Sequence, residues 1–139
     1  SQEKKDIFEI WRAHTPPYIA TVAPRYPLDL EEKFARAAAF MGPKMFLTLA
    51  ACPTGWLYDS GETPEVAKLA VETGLWPLKE AINGVVTHTY IPKRKPVEAY
   101  LKLQGRFRHL FEPAVQADAI QHIQARVDAY WERATREGS

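Results

Sequence analysis

Cysteine is almost absent from this chain: Cys52 is the only one among 139 residues. A single cysteine cannot form an internal disulfide, which excludes the small secreted proteins that disulfides hold together. The reducing cytoplasm is therefore the expected location. No apolar run approaches the ~18 residues needed to cross a bilayer, and no signal-peptide pattern opens the chain. We therefore expect no membrane partner.

Excess charge and the common catalytic motifs are absent too. Lys and Arg number 18 against 17 Asp and Glu, a net charge of +1. Nucleic-acid binding usually requires a concentrated basic stripe, so no nucleic-acid partner is expected. The basic run 93–95 is predicted to be a solvated loop, with an anion or partner contact as the alternative. The sequence also lacks GxGxxG, P-loop, GxSxG and HExxH patterns.

What is present predicts a single α/β core. Apolar residues make up 46% of the chain, and continuous apolar segments alternate with amphipathic ones. This alternation is typical of a parallel sheet flanked by helices. We predict a first helix over 3–14, adjacent central parallel strands over 18–23 and 44–51, and a crossover helix over 28–41. The apolar stripe predicted for the crossover helix is Leu30, Phe34, Ala37, Ala38 and Met41, with Lys33 elsewhere on its surface.

The second half of the sequence adds a hairpin and three helices. Asn83-Gly84 between two β-prone segments predicts a hairpin over 76–90 with a tight turn. Thr63-Pro64-Glu65 has the residue types of a helix start. The remaining helices are predicted from Pro96 through Leu103 and from Pro113 to Arg136.

Cys52 is the strongest chemical candidate. It follows the second predicted strand, and open α/β sheets bind ligands at the carboxyl ends of their parallel strands. A free cysteine is more often a small buried hydrophobe. A nucleophile would need a partner base, and a metal ligand would need companions, which this chain does not supply through a CxxC pair. From the residues alone, all three interpretations stay open.

Five segments follow one another in the order and spacing of a known family: KKDIFEIWRAH, YIATVAPRYPLDLEEKFARA, CPTGW, AVETGLWPLKEA and VEAYLKLQGRFRHL. On these segments the chain resembles the C-terminal half of the thiamine-diphosphate-binding β subunit of pyruvate:ferredoxin oxidoreductase and its 2-oxoacid relatives. The resemblance covers 4–111. It implies part of a thiamine-diphosphate-binding α/β fold over 1–111, followed by a C-terminal helical extension over 112–139.

The resemblance also implies an enzyme with several cofactors. The family oxidatively decarboxylates a 2-oxoacid with coenzyme A, or runs the reverse carboxylation, using thiamine diphosphate, Mg²⁺ and 4Fe–4S clusters. The cysteine of CPTGW ligates a 4Fe–4S cluster in this family, which makes Cys52 the expected metal ligand. Pro53 and Gly55 are expected to shape a cofactor-binding loop whose N–H groups approach cluster sulfurs. Trp56 would either shield the cluster or pack at the sheet edge.

The family's other cluster cysteines and its GDG…N signature lie upstream of the matched half, and the chain has no counterpart to them. The active site is therefore expected to be incomplete here, with no tight thiamine diphosphate binding by this chain alone. The expected partners are the remainder of the β subunit, other oxidoreductase subunits, and ferredoxin or a similar acceptor. Arg106 and Arg108 are expected at a solvated helix end, with a partner or phosphate contact as the alternative. The competing function is a non-catalytic assembly module that binds no cluster.

Overall fold

The computed structural model describes residues 4–138. They form two compact units. The first comprises the described residues up to Leu49 together with Leu78–Tyr90, and the second comprises Ala50–Pro77 together with the residues from Ile91 onward. Helices and strands of the first unit confirm the predicted α/β class. The predicted helix start at Glu3 lies outside the described residues.

A four-stranded sheet forms the centre of the first unit, in the order β2-β1-β3-β4. Strands β1 and β2 pair in parallel, as predicted, whereas β3 pairs antiparallel with both β1 and β4. The sheet is therefore mixed, because the predicted hairpin joins it. The elements of this unit are α1 Ile7–Arg12, β1 Tyr18–Val22, α2 Pro27–Ala38, β2 Lys44–Thr48, β3 Leu78–Ile82 and β4 Val85–Tyr90.

The turn between β3 and β4 is the one predicted from Asn83-Gly84. Both residues have positive φ, 49° for Asn83 and 85° for Gly84. A two-residue turn of this kind matches the natural twist of the two strands it joins. Because the turn fixes the register, Ile82 faces Val85 and the strands pair from there towards Leu78 and Tyr90.

Strands β1 and β2 differ in burial although both sequences are apolar. All five residues of β1 are buried, because it lies between β2 and β3. Strand β2 ends at Thr48 instead of the predicted Ala51, and none of its residues is fully buried. Among the described residues β2 is an edge strand, so the prediction of two central strands is wrong for β2.

Helix α2 confirms the predicted apolar stripe at Ala37, which is buried, and at Leu30, which packs against the core, but not along its whole length. Phe34 is 49% exposed and Met41, beyond the helix end, is 93% exposed, although both were assigned to the apolar stripe. The residues that α2 buries are Lys33 and Ala37. Lys33 is fully buried, contrary to its predicted place on the polar side of the helix, because its ammonium group finds oxygen partners inside the unit.

The second unit is helical. The predicted buried face of α4 is confirmed at Val66, Leu69 and Ala70. The long helix α6 docks through Trp131, whose indole N–H donates to the carbonyl of Gly74 at 3.0 Å. A Cβ on Gly74 would lie 2.4 Å from that indole nitrogen, so only glycine fits. The helices are α3 Pro53–Trp56, α4 Thr63–Glu72, α5 Val97–Lys102 and α6 Ala117–Arg136, with 3₁₀ turns at Ser60–Glu62 and Gly105–Leu110.

No helix within residues 4–138 is both long enough and apolar enough to cross a membrane.

Candidate functional site

Cys52 begins a short helical turn in the second unit, and we call residues 52–58 the Cys52 loop. The cysteine has extended backbone angles and precedes α3 as its N-cap residue. Its Sγ accepts a hydrogen bond from the backbone N–H of Gly55 at 3.3 Å. Pro53 occupies the first helical position, where its missing N–H costs nothing. The sequence Cys-Pro-Thr-Gly therefore folds locally into a turn that holds the sulfur at its start.

The Cys52 side chain is exposed within this chain, so the described residues do not bury it as a small hydrophobe. Gly55 gives the sulfur room as well as a donor, since a Cβ at this position would lie 3.3 Å from Sγ. A thiolate that accepts a backbone N–H is a suitable ligand for iron, and such hydrogen bonds tune the potential of an iron–sulfur cluster. The loop thus brings together Cys52, Pro53 and Gly55, the three predicted site residues.

A complete metal site needs several ligand side chains close together in space. Among residues 4–138, no group of three or more His, Cys, Asp or Glu side chains is arranged to hold a metal ion. A 4Fe–4S cluster is held by four ligands. Cys52 could supply one of these ligands, and the described residues do not supply the other three as a cluster of such side chains.

The Cys52 loop closes against a segment much later in the chain. Leu57 adopts the left-handed conformation, with φ 59° and ψ 62°, and its carbonyl accepts the N–H of Gly105 at 2.7 Å. A Cβ on Gly105 would lie 2.7 Å from the Cβ of Leu57 and 2.9 Å from its carbonyl oxygen. The glycine of the YLKLQGRF motif therefore contacts Leu57, the residue that directly follows the CPTGW motif, within the second unit.

Arg106 differs from its sequence-based expectation, whereas Arg108 agrees with it. Arg108 is exposed, as expected of a solvated helix end. Arg106 is only partly exposed, and its guanidinium lies 4.0 Å from the ring centroid of Trp56 and 4.6 Å from that of Phe107. Trp56 thus packs under an arginine.

Two buried side chains complete this contact, and the sequence analysis did not identify either. Arg106 Nε donates to Gln104 Oε1 at 2.7 Å, and its terminal nitrogen donates to the hydroxyl of Tyr100 at 3.0 Å. Burial raises the pKa of Tyr100 above its ordinary value. No local pattern reveals these contacts, because Tyr100 and Gln104 have ordinary helical spacing and their connection to Trp56 is long-range.

The first unit contains a separate polar cluster inside its core. Lys33 Nζ donates to the backbone carbonyl of Thr21 at 2.8 Å and to Asp29 at 2.7 Å. Burial lowers the pKa of Lys33, and the carboxylate of Asp29 opposes this effect. The i,i+4 spacing of Asp29 and Lys33 is the one feature of the sequence that predicts part of this arrangement.

Glu80 is the second centre of that cluster. Its carboxylate accepts hydrogen bonds from the hydroxyl of Tyr18 and from Nε of Arg36, the latter at 3.0 Å. Burial and the adjacent Glu80 raise the pKa of the Tyr18 phenol. Because each of these buried groups has a hydrogen-bond partner within the unit, the arrangement is best explained as structural.

Comparison with known proteins gives consistent matches. No family model matches the chain. Pyruvate synthase subunit PorB of Methanosarcina barkeri is 44% identical over 126 residues, which are 90% of this chain and 43% of that protein. The PorB subunit of Thermotoga maritima is 41% identical over 133 residues, 95% of this chain and 41% of its own length. Ketoisovalerate oxidoreductase subunit VorB of Pyrococcus abyssi is 38% identical over 135 residues.

These matches confirm the resemblance seen in the sequence. The chain groups with subunits of 2-oxoacid oxidoreductases and corresponds to a part of such a subunit. It spans about two fifths of the length of the relatives that it matches.

Proposed function

We propose that this chain, as part of a PorB-type subunit of a 2-oxoacid:ferredoxin oxidoreductase, supplies one thiolate ligand, Cys52, to a 4Fe–4S cluster. The observation that carries the proposal is the exposed Cys52 thiol at the start of α3, with the Gly55 N–H as its hydrogen-bond donor. The family resemblance at CPTGW supports the same assignment. Reducing conditions are required to keep such a thiolate available, so we place the protein in the cytoplasm.

The proposed reaction is the coenzyme A-dependent oxidative decarboxylation of a 2-oxoacid, or its reversal. Bound thiamine diphosphate with Mg²⁺ would supply the carbanion chemistry, and the clusters would carry the two electrons to ferredoxin one at a time. No residue of this chain is assigned to thiamine diphosphate or Mg²⁺. In this proposal 1–111 form the C-terminal half of the thiamine-diphosphate-binding domain, and 112–139 form a helical extension.

We propose pyruvate as the substrate, because the PorB relatives are named pyruvate synthase subunits. The VorB relative is named for ketoisovalerate and still shares a similar segment with this chain. A segment common to proteins named for different 2-oxoacids is better suited to a shared task than to substrate choice. Cluster binding by Cys52 is such a task.

The rest of the subunit is proposed to cover the free edge of β2. Strand β2 is apolar at Met45, Phe46 and Leu47, yet among the described residues its one strand partner is β1, and it stays half-exposed. Unpaired apolar edge strands invite further strand pairing. The relatives are more than twice as long as the matched segment, so the uncovered part of the subunit is long enough to supply another strand.

Amide hydrogen exchange tests this docking edge with an internal control. In the 139-residue chain alone, β2 amides should exchange faster than those of β1, which is paired on both sides. In the assembled subunit, β2 protection should rise towards that of β1, whereas β1 itself should change little. Unchanged β2 exchange after assembly would contradict the proposed edge contact.

Substitution of Cys52 by serine tests the cluster proposal. In the assembled enzyme, Cys52→Ser should lower the iron content and alter the low-temperature paramagnetic signal of one cluster, because serine removes the sulfur ligand. Thiamine diphosphate binding should stay largely intact. Thr54→Ser, an exposed change within the same loop, is the matched control. Full iron content and unchanged spectra in Cys52→Ser would favour the non-catalytic assembly module.

A further inference from the structure

The segment Gln104-Gly105-Arg106 contacts the Cys52 loop at two places, Leu57 and Trp56. Its backbone reaches the end of the loop through the hydrogen bond from Gly105 to Leu57. The close approach leaves no space for a side chain at position 105. This part of the contact fixes where the loop ends.

Arg106 extends the contact to the helical turn that Cys52 begins. Its guanidinium carbon lies 4.0 Å from the ring centroid of Trp56. The backbone N–H of Trp56 in turn donates to the backbone carbonyl of Cys52 at 2.9 Å. The planar guanidinium offers both a flat face for an aromatic ring and in-plane donors. The face of the Arg106 guanidinium therefore contacts the turn, while its N–H groups point in the plane of the group and can bind other partners.

The donors of Arg106 are bound to buried groups, which anchors the stack. They bind Gln104 Oε1 and the hydroxyl of Tyr100, and Gln104 Nε2 in turn donates to the backbone carbonyl of Tyr100 at 2.8 Å. Gln104 is 1% exposed and Tyr100 is 8% exposed. Because its partners are held in the core of the unit, Arg106 has little freedom to leave Trp56.

Arg106 forms no ion pair with any residue that the structure describes. Within residues 4–138, the carboxylates that form ion pairs do so with other cations, and Arg106 bonds only to neutral side chains. A cluster held by thiolates carries net negative charge, and nearby charge is one determinant of its potential. A fixed cation beside the ligand turn is therefore suited to an anionic group at Cys52.

We propose that Arg106 is a positioning residue for Cys52, holding the ligand turn through Trp56 and raising the reduction potential of the cluster bound there. The effect on potential rests on the proposed function, whereas the positioning of the turn does not. Substitution can separate the two effects. Stacking on Trp56 and donation to two partners require the planar guanidinium, whereas a lysine would keep the positive charge without that planar group.

The positioning role is tested on the 139-residue chain by amide hydrogen exchange. Arg106→Gln should increase exchange of the Gly55 and Trp56 amides at least tenfold, because the anchored stack is lost. Arg108→Gln makes the same charge change two residues away on an exposed side chain, and it should leave those amides unchanged. Unchanged protection of α4 amides confirms that the variant is folded. Equal exchange at Gly55 and Trp56 in Arg106→Gln and wild type would overturn the positioning role.

The electrostatic role is tested by redox titration of the clusters in the assembled enzyme. Arg106→Gln should shift one cluster to a more negative potential, and Arg106→Lys should restore most of the potential without restoring the Gly55 protection. An unshifted potential in Arg106→Gln would overturn the electrostatic role. If Cys52→Ser keeps all its iron, the cluster proposal fails, but the exchange result still decides whether Arg106 positions the turn.

Discussion

The two compact units differ in where they place their most reactive polar groups. In the first unit, the charges of Lys33 and Glu80 are buried and each is bound to partners inside the same unit. In the second unit, the thiol of Cys52 is exposed, and the loop that carries it is braced by Arg106. Polar groups that are bonded inside a unit stabilise its fold, whereas an exposed sulfur on a well-held loop is available to bind a partner from outside the unit.

The largest effect is expected from a substitution that breaks the buried polar cluster around Glu80 in the first unit. Glu80→Ala should reduce the free energy of unfolding of this unit by about 3 kcal/mol, because it leaves the buried Tyr18 hydroxyl without its acceptor and Arg36 without its closest carboxylate. Urea unfolding followed by hydrogen exchange of β1 amides measures the loss.

Glu32→Ala is the matched control for Glu80→Ala. Glu32 approaches the same Arg36, but at 3.9 Å and with a side chain that is 69% exposed. An exposed pair of this kind is worth about 0.5 kcal/mol. Equal losses from the two substitutions would show that the burial of Glu80 is not what stabilises the unit.

A smaller effect is expected where the second unit braces its loop. Gly105→Ala should cost about 2 kcal/mol in the second unit, because the new Cβ overlaps the Leu57 backbone carbonyl, which cannot rotate away. Hydrogen exchange of the Cys52 loop measures the loss. At Gly61 a Cβ would meet only the end of the Asp59 side chain at 3.3 Å, so Gly61→Ala should be nearly neutral. A neutral Gly105→Ala would contradict the close approach.

The smallest expected effect is on the pH dependence of stability. The lysine of the first unit and the tyrosine of the second should change it in opposite directions. Burial lowers the pKa of Lys33, so the unfolded state binds more protons than the folded state up to the ordinary lysine pKa of about 10.4. Stability of the first unit should therefore rise with pH within this window. Burial raises the pKa of Tyr100, so stability of the second unit should fall as pH rises above about 10.

These pH dependences are measured by hydrogen exchange between pH 8 and 11, which gives the free energy of unfolding of each unit from its own amides. Tyr18 adds a loss in the first unit above about pH 10, because burial and Glu80 also raise the pKa of its phenol. Lys33→Met should abolish the increase in first-unit stability below about pH 10 and leave the stability of the second unit unchanged. A first unit whose stability already falls between pH 8 and 10 would contradict the assignment to Lys33.

Much of the fold was predictable because local rules determine it. Asn83-Gly84 requires positive φ at two successive residues, and the hairpin register follows from that turn. The continuous apolar character of β1 predicted its burial, and the connection through α2 predicted parallel pairing with β2. The edge position of β2 was not predictable, because strand composition alone does not reveal how many neighbours a strand has.

The sequence predicted where the candidate site lies, whereas the ligand role of Cys52 stays a prediction. The CPTGW motif led to Cys52, Pro53 and Gly55, and the structure places all three in one turn. Lys33 and Arg106 were missed for a common reason: both were assigned to solvent by their charge. Their actual environments depend on partners distant in sequence, Thr21 for Lys33 and Trp56 for Arg106, which no local pattern specifies.

The most direct test of the account is the position of iron relative to Cys52 in the assembled, cluster-loaded subunit. Anomalous diffraction recorded at the iron edge should show an iron atom about 2.3 Å from Cys52 Sγ, the length of other metal–thiolate bonds. The remaining ligands of that cluster should come from the part of the subunit outside this chain. Iron–sulfur clusters present in the same crystals, with no iron within bonding distance of Cys52, would contradict the central claim.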